Sequence, residues 1–140
     1  MEFEKDILTG REVDEIDAYF GQPAGSYPGL NIYKKDDTVY YFLFGDNEKE
    51  EGKSRVTGYA WFSGEKKLSQ GVRLLDRERV MSQNGERKIS EFVSEYGRPH
   101  ADIGNGRAIP VYITEKGTVV SPVLTDRQTV TGVRELDLHI

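Results

Sequence analysis

The chain contains no cysteine. That excludes disulfides, thiolate metal sites and cysteine nucleophiles together. Histidine is nearly as scarce, with His100 and His139 alone in 140 residues. His100-Ala101-Asp102 places two polar groups two residues apart, but no third ligand stands at a recognisable spacing, so neither a metal nor a cofactor is expected. Excess positive charge is also missing: 19 Lys and Arg stand against 24 Asp and Glu, a formal net charge of −5. Nucleic acids and anionic membranes both require clustered positive charge, so neither is expected as a partner. Lys66-Lys67 and the Arg73, Arg77, Arg79 group are interleaved with Asp76 and Glu78, as on a solvated surface. No apolar run approaches the roughly 20 residues that span a bilayer. The start, Met1–Asp6, is charged and has no apolar signal core, which leads to the expectation of a cytoplasmic protein. Gly104-Asn105-Gly106 lacks the Lys-Ser/Thr of a phosphate loop, and no Gly-x-Ser-x-Gly occurs.

Two helix patterns are present. In the first, Thr9 and Glu12 make a capping box, Val13, Ile16 and Phe20 fall on one face, and Gly21 and Pro23 end the run. In the second, Ile89, Phe92, Val93 and Tyr96 form an i, i+3, i+4, i+7 stripe ended by Gly97 and Pro99, with Asn84 as the expected cap. The remainder reads as strands at Leu30–Lys35, Thr38–Gly45, Arg55–Phe62, Lys67–Asp76, Pro110–Thr114, Thr118–Leu124 and Thr129–Leu138. Asp36-Asp37 is a hairpin connection, Asp46–Lys53 an acidic loop, and Arg77–Gly85 a polar connector. These elements predict a single α+β domain over residues 1–140, with helices packed on one face of a curved antiparallel sheet.

The two halves answer one another. Phe20-Gly21-Gln22-Pro23 matches Tyr96-Gly97-Arg98-Pro99, the glycines standing 76 residues apart. Ile32-Tyr33 and Thr38-Val39 answer Val111-Tyr112 and Thr118-Val119, and Val56-Thr57-Gly58 answers Val130-Thr131-Gly132. A competing match sets Gly71–Asp76 against Gly132–Asp137. The first keeps the element order over the longer span and divides the chain into tandem units at about 8–76 and 84–140. A helix ending in aromatic-Gly-x-Pro, followed by a hairpin bearing a tyrosine, resembles the repeat of the β-lactamase-inhibitor-protein-like group, which includes lipoproteins of the SmpA/OmlA type. The resemblance implies two helix-plus-sheet units in tandem, forming a curved sheet whose exposed face grips a partner protein. This chain has neither the lipobox cysteine nor the cysteine pair of that group.

Period-2 alternation divides the aromatic strands into two faces. Ile32, Val39, Leu43 and Ala60 suit a position under the helices, leaving Tyr33, Tyr40, Phe42, Tyr59 and Trp61 pointing away. Tyrosine and tryptophan are the anchors most often found at binding hot spots. The sequence therefore suggests a non-enzymatic protein-binding module, an inhibitor or immunity-type protein acting by steric occlusion through Tyr33, Tyr40, Phe42, Tyr59 and Trp61. The acidic 46–51 loop would steer a basic partner. Three alternatives stand beside it. The rings could form a second small core, the aromatic face could be a homodimer interface, or a pocket near His100 and Asp102 could serve a small ligand or an enzyme reaction.

Overall fold

The structure, a computed structural model, describes residues 16, 18, 20–27, 29–45, 55–64, 66–83, 85–104 and 109–136. The chain divides into two compact units, Met1–Val72 with His139–Ile140, and Arg73–Leu138. It is mostly β, with two antiparallel sheets of five strands each and few helices.

The first sheet is a meander in the order β1-β2-β3-β4-β5, formed by Gly25–Tyr27, Leu30–Lys35, Thr38–Gly45, Arg55–Ser63 and Lys66–Gln70. Asp36, at φ 56°, makes the tight connection between β2 and β3; an aspartate tolerates that left-handed position because its short side chain bonds locally. Residues 16, 18 and 20 are helical and end at Gly21, whose φ of 85° needs glycine. The capping box at Thr9 and Glu12 lies outside the described residues.

The second sheet runs β6-β10-β9-β8-β7, formed by Arg87–Lys88, Thr129–Leu136, Val119–Thr125, Pro110–Ile113 and Ala101–Asp102. Two helices belong to this unit, α1 at Arg77–Met81 and α2 at Ile89–Tyr96. Helix α2 begins behind Lys88, which gives no side-chain cap. Asn84, the expected cap, lies outside the described residues and five positions upstream of Ile89. Two expectations are corrected here. The strand expected at Lys67–Asp76 ends at Gln70, where Gly71 turns the chain at φ 72°. The connector expected at Arg77–Gly85 contains α1, capped by Asp76, whose Oδ1 accepts from the Arg79 N–H at 3.1 Å. Strands β1, β6 and β7 are two or three residues long, too short for alternation to reveal.

Each unit has its own core. In the first, Ile16 from the helical segment packs with Tyr33, Phe42, Val56 and Tyr59, and Phe20, Tyr40, Phe44, Trp61 and Leu68 close around them. In the second, Phe92 and Tyr96 of α2 pack with Leu75, Val80, Tyr112, Val120 and Val130. The opposite faces are covered too. Ile32, Tyr41 and Ala60 are buried in the first sheet, and Val111, Ile113, Val119 and Ser121 in the second. Residues on both faces of the middle strands are therefore buried.

Both sheets contain the same irregularity. Pairing skips a residue between Leu43/Phe44 of β3 and Gly58/Val56 of β4, and between Val130 and Gly132 of β10. The skipped residues are Thr57 and Thr131. Thr57 Oγ1 donates to the Leu43 carbonyl at 3.3 Å, and Thr131 Oγ1 to the Val123 carbonyl at 3.4 Å. A bulge of this kind shifts the side-chain alternation by one residue. It moves Val56 from the Ala60 side of the strand, where strict alternation puts it, to the Tyr59 side.

Candidate functional site

The five aromatic residues read from the sequence lie on one face of the first sheet, but that face is the one the helical segment covers. Tyr33, Phe42 and Tyr59 are 1%, 0% and 1% exposed. The Phe20 ring stands 5.2 Å from Tyr33, 4.6 Å from Tyr40 and 5.7 Å from Phe42. Offset and edge-on ring contacts at such separations are favourable beyond the area they bury. The assignment of Ile32, Val39, Leu43 and Ala60 to the helix side is thus reversed. It assumed that a helix prefers aliphatic neighbours, whereas this helical segment ends in a phenylalanine that needs rings to pack on.

The polar tips of these rings are satisfied inside the sheet. Asn31 Nδ2 donates to Tyr33 Oη at 3.2 Å, and Ser26 Oγ donates to Asn31 Oδ1 at 3.0 Å. Tyr59 Oη donates to Gln70 Oε1 at 2.7 Å. Buried hydroxyls without partners are costly, and these bonds tie β1 to β2 and β4 to β5.

Tyr40 and Trp61 are different. Both are only half-buried. The register places Tyr33 opposite Tyr40, Tyr40 opposite Trp61, and Trp61 opposite Leu68. One cross-strand row therefore runs from the buried Tyr33 through Tyr40 and Trp61 to a half-buried Leu68 on the edge strand. Two residues further along the same face lies the row Lys35, Thr38, Ser63 and Lys66. Sequence reading missed Leu68. The only signal was one leucine among the polar residues of Lys66–Gln70, and it becomes informative only once the register with Trp61 is known. The acidic 46–51 loop lies outside the described residues.

His100 precedes the edge strand β7 and Asp102 is its last residue, and each is engaged by backbone. The His100 N–H donates to the Val111 carbonyl at 2.9 Å, and the Ile113 N–H donates to His100 Nδ1 at 2.8 Å. The ring lies edge-on to Tyr112 with centroids 5.3 Å apart. Loss of solvent depresses the imidazole pKa to about 4, with a hydrogen bond to the Arg73 backbone opposing the shift. Asp102 Oδ1 accepts from the Gly104 and Ile109 N–H groups at 2.9 and 3.0 Å. The Tyr112 hydroxyl donates to the Gly97 carbonyl at 2.7 Å, and burial raises its pKa to about 12. His139 lies outside the described residues.

An open depression of about 440 Å³ lies on α2, lined by Arg87, Ser90, Glu91, Ser94 and Glu95. Two of its charged residues are engaged: Arg87 Nη1 meets Glu95 Oε1 at 2.6 Å, and Glu95 Oε2 also meets Arg79 Nη2 at 2.9 Å. The Arg87 hydrogen bond is the main cause holding the Glu95 carboxyl below its ordinary pKa. Among the described residues no group of three or more His, Asp or Glu could hold a metal ion, and no helix is long and apolar enough to cross a membrane. Comparison with family models, curated proteins and solved structures yields no match to this chain.

Proposed function

We propose that this chain is a non-enzymatic protein-binding module of two diverged tandem units, docking its partner on the half-buried row Tyr40, Trp61 and Leu68. The observation that carries the reading is the position of that row. It is continuous with a packed aromatic core on one side and reaches solvent at a sheet edge on the other. Aromatic anchors held rigid by their own core lose little freedom on binding, which is what makes them effective contacts. The five-ring surface read from the sequence contracts to Tyr40 and Trp61, joined by Leu68, while Tyr33, Phe42 and Tyr59 serve as the support beneath them.

The duplication has local support. Ile16 and Phe92, Phe20 and Tyr96, Tyr33 and Tyr112, and Val56 and Val130 all occupy their units' cores. The Val-Thr-Gly bulge recurs with the same threonine-to-carbonyl bond in both sheets. The competing match through Gly71–Asp76 aligns a turn with a strand. Tandem helix-plus-sheet units that grip a partner are what the resemblance to the β-lactamase-inhibitor-protein-like group implies, and an inhibitor or immunity-type role by steric occlusion suits a small acidic binding protein. The engagement of His100 and Asp102 with backbone groups weighs against the alternative in which they serve a pocket.

The test is affinity capture from native extract with wild type beside Leu68→Asp, with far-UV circular dichroism as a fold control. A partner retained by wild type and lost from the folded variant supports the docking row. Equal capture by both would remove it, and a mass of two chains across a dilution series would reassign the row to a homodimer.

A further inference from the structure

We infer that β5 is an acceptor edge, and that the partner adds an extended acidic segment to it as a sixth strand of the first sheet. This rests on the protein-binding reading and names the chemistry of the docked segment. Strand β5 ends the sheet, with β4 as its one neighbour among the described residues. Lys66, Lys67, Ser69 and Gln70 are exposed and Leu68 is half-buried, so nothing among the described residues covers the strand. An edge strand presents a row of backbone donors and acceptors, and an extended peptide can continue the ladder there. The other terminal strands, β1, β6 and β7, are two or three residues long. At five residues β5 is the longest edge and the one that can hold a register.

The side chains of β5 specify what it would accept. Lys66 and Leu68 lie on the aromatic face and Lys67 on the other, following the pairings Ser63 with Lys66, Phe62 with Lys67 and Trp61 with Leu68. Neither Lys66 nor Lys67 has an ion pair among the described residues. An added strand puts one residue opposite each of these. Added parallel to β5, two consecutive acidic residues would meet Lys66 and Lys67, and the apolar residue following them would meet Leu68. That apolar residue extends the row Tyr33, Tyr40, Trp61, Leu68 by one member. The lysines also discourage indiscriminate edge pairing by repelling basic and apolar strands. An acidic segment is thus selected by the feature that excludes others.

The experiment uses the full chain and a labelled eight-residue peptide, Glu-Glu-Val-Thr repeated twice, beside its counterpart with lysine in place of glutamate. Binding is followed by anisotropy, by emission of the single tryptophan, Trp61, and by amide hydrogen exchange. The acidic peptide should bind saturably, shift Trp61 emission and slow exchange at residues 66–70, while the lysine peptide should not bind. Lys66→Glu/Lys67→Glu should weaken the acidic peptide at least roughly tenfold and admit the lysine peptide, and Lys66→Ser/Lys67→Ser should weaken the acidic peptide without admitting the basic one. No saturable binding, protection elsewhere than 66–70, or indifference to both double variants would overturn the inference. Failure here, with partner capture still dependent on Leu68, would remove edge addition and leave the docking row in place. Loss of that dependence as well would remove both.

Discussion

At the scale of single residues, the same chemistry has opposite consequences in different surroundings. Gly58 and Gly132 each close a Val-Thr-Gly bulge. A Cβ on Gly58 would stand 2.9 Å from the Gly71 carbonyl oxygen and 2.9 Å from Val72 Cγ2, whereas a Cβ on Gly132 meets nothing within 4 Å. Gly58→Ala should therefore cost about 1–3 kcal/mol by overpacking against backbone, and Gly132→Ala should stay within about 0.5 kcal/mol. Chemical denaturation of the two variants checks the contrast. His100 gives a second test. Its folded pKa of about 4 lies below the ordinary 6.5, so between those values the unfolded chain binds more protons than the folded one. Stability from this group is complete above about pH 6.5 and is lost as pH falls through 4, on the order of 3 kcal/mol in all. Protonation also removes the Nδ1 acceptor from the Ile113 N–H. Imidazole proton shifts should show His100 neutral at pH 5, and His100→Ala should flatten the acid limb of the thermal stability profile.

At the scale of elements, legibility followed length and regularity. Leu30–Lys35 and Thr38–Gly45 were legible to the residue because they are long, β-branched and aromatic, and joined by a turn that admits little else. Helix α2 was legible in its stripe and its stop at Gly97 but not in its start, because Lys88 caps without a side-chain bond. Helix α1 was not legible: five residues hold too little periodicity, and its fixing contacts come from distant sequence. The Arg77 N–H donates to Glu115 Oε2 at 2.9 Å, and Arg77 Nη2 meets Glu135 Oε2 at 2.6 Å. Asp76→Ala should remove the side-chain cap on the Arg79 N–H at a cost of about 1 kcal/mol, measurable as a lowered denaturation midpoint. The site was legible in half. Alternation grouped Tyr33, Tyr40, Phe42, Tyr59 and Trp61 on one face. It could not say which face the helical segment takes, because both are apolar and the choice is made by Phe20 fitting among three rings. Nor could it anticipate the bulge at Thr57, which reverses the alternation for Val56 alone.

At the scale of the molecule, the two cores leave little apolar surface for a partner among the described residues. Val123, at 38%, is the single large hydrophobic residue among those described that counts as exposed. Binding must then depend on half-buried side chains at a margin rather than on a broad apolar face, and core residues and docking residues become separable by mutation. Phe42→Ala should cost about 3–5 kcal/mol, as for other fully buried aromatic residues, and should abolish binding only by unfolding the first unit. Leu68→Asp should leave the melting temperature within a few degrees of wild type. The most direct measurement is the dissociation constant of the captured partner for folded Leu68→Asp. An increase of roughly a hundredfold, as for loss of a hot-spot anchor, is the result this account predicts. A constant equal to wild type, or a folded Phe42→Ala chain that no longer binds, would contradict it.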